Sequence, residues 1–324
     1  LRGSKEPQIE GNLQMSPNIQ STEKVSVLAR LKRDRWLYLL LLPGLLYFIV
    51  FKYLSMWGIV IAFQNYSPFL GVLQSKWVGF DHFINFFQNP DFMRLLRNTF
   101  IFAVLDLVFF FPAPIILALM LNELRKQIYK RTVQTLIYVP HFMSWVIIAS
   151  ITYIFFTTSG GAINELVSTF TGKEINFLAS NTWFRPLIML QIIWKETGWG
   201  TIIFLAALSS VDPEQYDAAI VDGAGRFRRL WHVTLPAVRS VIVILLILRL
   251  GNFLDTGFQQ IYLMTNSLNR EVADVFDTYV YFVGITQGAF SYSTAVGLFK
   301  SIVGIVLVLG ANKLAKKLGQ EGIF

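Results

Sequence analysis

Six stretches of about 20 residues each, nearly free of charge, constrain this chain more than any other feature. They run over 37–63, 99–121, 137–157, 184–209, 238–258 and 295–314. A helix rises about 1.5 Å per residue, so about 20 residues cross the roughly 30 Å hydrocarbon core of a bilayer. The expectation is an all-α polytopic membrane protein with six transmembrane helices. Composition agrees: of 324 residues 54% are hydrophobic and 15% are charged, against about 25% charged in a soluble domain. Lys52 and Tyr53 interrupt the first stretch, which is expected to end near Leu54 and go on as an interfacial turn. The chain has no cysteine, which excludes a disulfide framework, a thiolate zinc site and a thiol nucleophile.

The formal net charge of +8 invites a nucleic-acid reading until the charges are located. Eighteen of the 28 Lys and Arg fall in the N-terminal tail, the loop 122–136, the loop 210–237 with Arg239, and the C-terminal end counted from Lys313. Five fall in the alternate loops: Lys76, Arg94, Arg97, Lys173 and Arg270. The other five lie inside the apolar stretches. Cytoplasmic loops carry the excess of Lys and Arg, so the richer side is the cytoplasm and both termini lie there. By side, the net charge is +8 in the cytoplasm, −2 outside and +2 within the membrane. The basic excess is topology, and no nucleic-acid partner is expected. Trp36 and Tyr38 follow a basic run and occupy an aromatic-belt position. The first stretch lacks the short apolar core and small-residue cleavage site of a signal peptide. Residues 1–35 read as a cytoplasmic tail, polar and disordered before Val25, 36–315 as the transmembrane domain, and 316–324 as a cytoplasmic C-terminal tail.

The loop between the fourth and fifth stretches, 210–236, has helix punctuation of its own. Asp212 suits an N-cap, Pro213 the first helical position, and Glu214 the first turn, where the helix dipole favours an acid. Gly223 can take the left-handed conformation that ends a helix. A second helix is expected from Ala224, with Pro236 marking the restart into the fifth stretch. In backbone terms this is an amphipathic helix–turn–helix at the cytoplasmic surface.

The same run carries a family pattern. Asp217-Ala218-Ala219, Asp222-Gly223-Ala224, Phe227 and Val233-Thr234-Leu235-Pro236 resemble the EAA loop of ABC importer permeases: Glu-Ala-Ala, two residues, Asp-Gly-Ala and a distal Leu-Pro. Asp217 stands where the family most often has Glu, a shorter arm bearing the same charge. Leu42 to Tyr47, Phe51-Lys52-Tyr53, Trp77 to Phe83, Asn98-Thr99, Tyr138 to His141 and Gly160 to Asn164 resemble the oligosaccharide-uptake permeases, those of alginate oligosaccharide importers among them. The likeness extends over roughly 36–315. It implies a type I ABC importer permease fold with a cytoplasmic coupling helix, in a bacterial inner membrane. It implies that Tyr216, Asp217, Ala218, Ala219, Asp222, Gly223 and Ala224 form the coupling helix and its turn, docked on an ATP-binding subunit. The chain would be a non-catalytic permease with no cofactor of its own, ATP and Mg being bound by the partner ATPase. Its partners would be a second, homologous permease in a heterodimer, two ATP-binding subunits, an extracytoplasmic solute-binding protein, membrane lipid and an oligosaccharide cargo, acidic ones such as alginate included.

Eight charges fall inside the stretches: Lys52, Asp106, Arg185, Lys195, Glu196, Arg249, Asp255 and Lys300. Each costs about 2.5–3.5 kcal/mol at a helix centre on insertion scales, so they must snorkel, pair or face water. Gln191, Lys195 and Trp199 share one face of the fourth stretch, with Trp194 and Glu196 beside them. Asn252, Asp255 and Gln259 stand at helical spacing in the fifth. Together with Arg249 and Lys300 they are expected to line a cargo path, since aromatic faces stack on sugar rings and transporters bind cargo near the midplane. Lys195, Arg249 and Lys300 are the expected attractors of an acidic sugar. Structural pairs such as Lys195–Asp255 or Arg249–Glu196 are the plainer reading of the same charges.

Other chemistry finds no support. There is no Gly-x4-Gly-Lys-Ser/Thr phosphate loop, so ATP chemistry must come from another chain. His82, His141 and His232 have no zinc-protease spacing, so no metal site is expected, and His141 is read as a satisfied interfacial side chain. A proton-coupled secondary transporter using Asp106, Glu196 and Asp255 is the alternative, and an intramembrane enzyme lacks a catalytic constellation. The EAA-like loop favours the importer permease.

Overall fold

The structure is a computed structural model and describes residues 33–124, 126–319 and 322. Most of the N-terminal tail and four residues of the C-terminal tail lie outside these. The chain divides into two compact units, Leu1–Trp57 and Gly58–Phe324. In the first, helix α1 (Arg35–Tyr47) continues through a π-helical turn at Phe48–Tyr53. The helical run Arg35–Phe63 is 29 residues long and apolar enough to cross a membrane. Lys52 therefore does not end it: the wider π turn carries the charge without breaking the helix.

The second unit is all-α apart from one two-residue antiparallel pairing, β1 (Gln64–Asn65) with β2 (Lys76–Trp77). A short α2 (Asp81–Gln88) precedes α3 (Phe92–Leu105), which passes through a π turn at Asp106–Phe110 into α4 (Pro112–Asn122). Next come α5 (Gln127–Tyr138), α6 (Trp145–Phe156), α7 (Ala162–Thr171) and the 29-residue α8 (Asn181–Ser209). The loop helices α9 (Pro213–Val221) and α10 (Arg226–Arg229) lead through a π turn at Leu230–Thr234 into α11 (Leu235–Gly251). Beyond it lie α12 (Phe258–Met264), α13 (Arg270–Ala273), α14 (Phe276–Tyr281) and the 28-residue α15 (Phe290–Lys317).

Three runs in this unit are long and apolar enough to span: Phe92–Asn122, Arg226–Gly251 and Phe290–Lys317. The bent pair Gln127–Phe142 and Trp145–Phe156 makes another if counted as one span. Helix α8 has the length but is not among these runs, and it carries Arg185, Lys195 and Glu196 within it.

Three expectations need correction. The third stretch, expected as one span over 137–157, is broken by a 101° bend. After Pro140 the backbone of Met143 and Ser144 is extended, and Ser144 Oγ caps the new helix by accepting the Ile147 N–H at 3.3 Å. The fifth stretch, expected to run to 258, ends at Gly251. Two in-line prolines, Pro112 and Pro236, each follow a π turn, so neither breaks its helix. A proline takes away one donor and crowds the preceding turn, and the wider π turn relieves that crowding. The expected restart at Pro236 does not occur: one helical rod runs from Arg226 to Gly251.

Packing is apolar in three clusters and polar at defined points. Phe102, Phe184, Ile188 and Ile261 join α3, α8 and α12; Phe86, Leu95, Phe276 and Val296 join α2, α3, α14 and α15; Ala118, Phe204 and Val238 join α4, α8 and α11. Gly304 of α15 lies against the Gly251 carbonyl, where a Cβ would sit only 2.6 Å away, so these helices meet at their backbones. Asn98 is fully buried and ties three segments. Its amide donates to the carbonyls of Glu271 (2.8 Å) and Asp274 (3.0 Å), and its oxygen accepts from Arg185 Nη2 (3.0 Å).

Replacing Asn98 by leucine keeps the number and branching of the side-chain heavy atoms and leaves those partners unpaired, at about 1–3 kcal/mol for each buried polar group. Asn98→Leu is expected to lower the thermal unfolding midpoint in detergent by several degrees, and an unchanged midpoint contradicts the role of Asn98 as a tie.

Candidate functional site

A cavity of about 600 Å³ lies between α3, α6, α8 and α11. Its wall includes Trp145, Glu196, Trp199, Arg249, Asn252 and Asp255. Five of the ten expected path residues thus line one space: Glu196, Trp199, Arg249, Asn252 and Asp255. The other five do not. Gln191 and Lys195 are buried behind the wall, and Trp194 is half exposed on another face of α8. Gln259 is exposed off the cavity, and its neighbour Gln260, buried, takes the place on the wall. Lys300 stands behind Asp255, donating to it at 2.6 Å.

The exchange of Gln259 for Gln260 has a backbone cause. Asn252 caps the end of α11, a non-helical link follows, and Gly257 restarts the chain with φ +84° before α12. Counting by helical spacing across that break loses the phase. Gln260 Nε2 donates to Gln191 Oε1 and to the Ile188 carbonyl, both at 2.8 Å, and Gln191 Nε2 donates to Thr152 Oγ1 at 2.7 Å. Gln191 is thereby a link between α6, α8 and α12.

The ion pairs differ from both expected ones. Arg249 meets Asp106, through Nε to Oδ2 at 2.6 Å and through Nη2 to Oδ1. Its guanidinium also lies 5.1 Å above the Phe110 ring. Asp106 begins the π turn, which aims its carboxylate across to α11. Lys195 turns away from Asp255: its Nζ donates to the His141 carbonyl at 2.5 Å, lies 3.3 Å from Glu196 Oε1, and sits 5.4 Å over the Trp145 ring. Lys300 bridges Asp255 and Asp277. The three expected attractors are therefore each held by a carboxylate, which explains how charges so costly in lipid are tolerated.

His141 has more work than an interfacial histidine. Its Nδ1–H donates to Glu196 Oε2 at 2.7 Å, and its ring stacks on Trp199 at 4.4 Å with 4° between the planes. Gly198 lets α8 touch the Ile137 backbone directly, where a Cβ would collide. Residues 195–199 thus lock the bend after α5 to the cavity wall. Asp106, Phe110, Trp145 and His141 were absent from the expected path. Asp106 had a signal, an unexplained charge in an apolar stretch; the aromatic residues had none that separates them from packing.

The turn at 210–224 has the expected shape, with small shifts. Asp212 Oδ1 accepts the Glu214 N–H at 3.0 Å and Pro213 opens α9. Gly223 has φ +74°, and the Ala224 N–H closes the turn on the Ala219 carbonyl at 2.8 Å. The next helix begins at Arg226, not Ala224. Asp217, Ala218, Asp222 and Gly223 are exposed, while Tyr216, Ala219 and Ala224 are half-buried. Tyr216 Oη bonds Thr234 Oγ1 at 3.1 Å, tying α9 to the π turn below α11. Apolar side chains also face outward here: Ile220, Val221 (87% exposed) and Phe227 (81%). Sequence reading did not single out Ile220 and Val221; as apolar residues at the end of a short surface helix they mark a contact surface.

Residues 110–320 match the family described as binding-protein-dependent transport system inner membrane component. Protein LplB of Bacillus subtilis (strain 168) is 67% identical over 95% of this chain and 97% of its own length. The polygalacturonan/rhamnogalacturonan transport system permease protein YteP of the same organism is 58% identical over 92% and 93%. Among solved structures, a chain of a bacterial alginate ABC transporter in complex with alginate pentasaccharide-bound periplasmic protein superposes with a TM-score of 0.84 at 38% identity, covering 92% of this chain and 99% of that one.

The Asp106–Arg249 pair can be tested by itself. In a cycle of Asp106→Asn, Arg249→Gln and the double variant, thermal unfolding is expected to give a coupling of about 1–3 kcal/mol, since the two side chains share direct bonds. Purely additive losses contradict the pairing.

Proposed function

The chain belongs to the family of binding-protein-dependent transport system inner membrane components and is a permease subunit of an ABC sugar importer, and from this premise we propose that its cargo is an oligosaccharide bearing carboxylate groups. Permeases of this family are non-catalytic. The observation that carries the cargo reading is the meeting of aromatic faces with one guanidinium on a single cavity wall. Trp145 and Trp199 offer flat faces to sugar rings. Arg249 uses Nε and Nη2 on Asp106, which leaves its Nη1 side for a cargo carboxylate. The names of the relatives support the same class, because polygalacturonan and alginate are both chains of uronic acids.

The working assembly in this proposal is a heterodimer of this chain with a second homologous permease, two ATP-binding subunits that hold ATP and Mg, and an extracytoplasmic solute-binding protein. It sits in a bacterial inner membrane with both termini of this chain in the cytoplasm. The turn 212–224 docks on an ATP-binding subunit through Ile220, Val221 and Phe227, with Asp217 and Asp222 available to basic groups of that partner. When the ATP-binding subunits close, the turn moves and the rod Arg226–Gly251 carries the movement to Arg249 at the cavity. Cargo enters from the binding protein, and hydrolysis resets the bundle. Asp106, Glu196 and Asp255, the carboxylates of the proton-coupled alternative, are each engaged in an ion pair that crosslinks the bundle or braces the cavity wall, and the family match favours the ATP-driven importer.

Two predictions test this account. Val221→Asp alters a side chain that is 87% exposed, so the chain is expected to fold and assemble normally while ATP hydrolysis stimulated by the loaded binding protein falls at least tenfold. Gly223→Pro is expected to do the same, because proline cannot take a φ of +74°. Full stimulation in both variants removes the turn from coupling. For the cargo, Arg249→Gln is expected to lower uptake of a uronate oligosaccharide at least tenfold and uptake of a neutral one little; equal effects on both contradict the carboxylate reading.

A further inference from the structure

A second cavity, of about 700 Å³, is lined by the segment 262–282, which follows the rod Arg226–Gly251 in the chain. Its wall includes Tyr262, Ser267, Arg270, Asp274, Tyr279 and Phe282. Helix α12 contributes to both cavities: Gln260, with Gly257 just before the helix, lines the central one, and Tyr262 and Leu263 line this one. The size is that of a small-molecule site.

The wall has groups already satisfied and groups that are not. Thr265 Oγ1 donates to the Ile261 carbonyl (2.7 Å), Thr278 Oγ1 to the Val275 carbonyl (3.0 Å), and Asn266 Nδ2 to the Leu178 carbonyl (2.9 Å). Those side chains hold the wall together. Arg270 is different. Its guanidinium is supported 5.4 Å over the Phe282 ring, and its nearest carboxylate, Asp274, stands 3.7 Å away, too far for a hydrogen bond. Asp274 is also shared with Arg94 at 3.4 Å. Burial pushes the Asp274 carboxyl up while Arg270 and Arg94 pull it down, and its charge is shared between the two arginines. Tyr262 is braced by Phe258 at 5.3 Å and Tyr281 at 5.2 Å, and its ring is still half exposed. A rigid aromatic face beside a supported guanidinium with open donors suits a sugar ring that carries a carboxylate.

We propose that this outer cavity is a second binding site for an acidic oligosaccharide, with Tyr262 taking a sugar face and Arg270 a carboxylate. The proposal rests on the cargo reading above and adds a station ahead of the central cavity. An oligosaccharide held here reaches the central cavity by passing α12, a helix of seven residues and about 10 Å.

The test uses the assembled importer in lipid nanodiscs, without binding protein, and trigalacturonate as probe, read by titration calorimetry. Arg270→Gln is expected to weaken trigalacturonate binding at least tenfold. Ser267→Trp, which fills the cavity from an exposed rim position without removing a charge, is expected to weaken it similarly. All titrations are run in an Arg249→Gln background, which silences the central cavity, so that the binding read is that of the outer site. Unchanged affinity in both Arg270→Gln and Ser267→Trp overturns the outer site, as does the absence of binding in that background alone. The cargo reading is judged separately, by uptake of trigalacturonate through the parent importer with its binding protein. If that uptake occurs while the outer-site variants bind normally, only the outer site fails; if it does not occur, the cargo reading fails and this proposal with it.

Discussion

A charge inside the hydrocarbon core must find a partner, and the pairs that result hold this bundle together. Asp106 with Arg249 joins α3 to α11 across the central cavity. Lys195, Glu196 and His141 join α8 to the bend between α5 and α6. Lys300 draws together α15, the link after α11 and the helix α14 through Asp255 and Asp277. Each cross-link ties segments far apart in the chain, where apolar contact alone gives little preference for one packing over another, lipid being as apolar as leucine. Several of these paired groups stand on the cavity wall, so the requirement that stabilises the bundle also gives the cavity a polar lining.

That space is connected to the surface turn by continuous backbone. The rod from Arg226 to Gly251 is 26 residues long, about 39 Å as an α-helix. One end carries the Tyr216–Thr234 bond to α9, and the other carries Arg249. The bend at Met143–Ser144 is clamped to α8 by His141 and Gly198. A displacement of α9 therefore has a stiff route to the wall of the cavity, and the proposed coupling of ATP hydrolysis to cargo movement uses it.

Much of this was legible in the sequence. Long apolar runs report membrane helices directly, because the bilayer demands a length and a polarity that few other structures share. Asp212, Pro213 and Gly223 announce the ends of α9 because capping chemistry is local. What the sequence left open was non-local. The break at Met143–Ser144 has local marks in Pro140 and the capping Ser144, but the contacts of the bend with α8 come from residues about 55 positions away. Gln260 replaces Gln259 because Gly257 resets the helical phase, which spacing cannot follow through a turn. The choice of Asp106 for Arg249 over Glu196 depends on where a π turn aims one carboxylate, and π turns have no sequence signature of the kind that caps have.

The central claim is that this chain moves cargo only when an ATP-hydrolysing partner drives it. The most direct measurement is uptake of a labelled uronate oligosaccharide into vesicles that hold this chain with its partner permease, with and without the ATP-binding subunits, in the presence of the binding protein. The account predicts uptake only when those subunits and enclosed Mg-ATP are present, and none from an imposed proton gradient. Uptake driven by a proton gradient in vesicles lacking the ATP-binding subunits would contradict it.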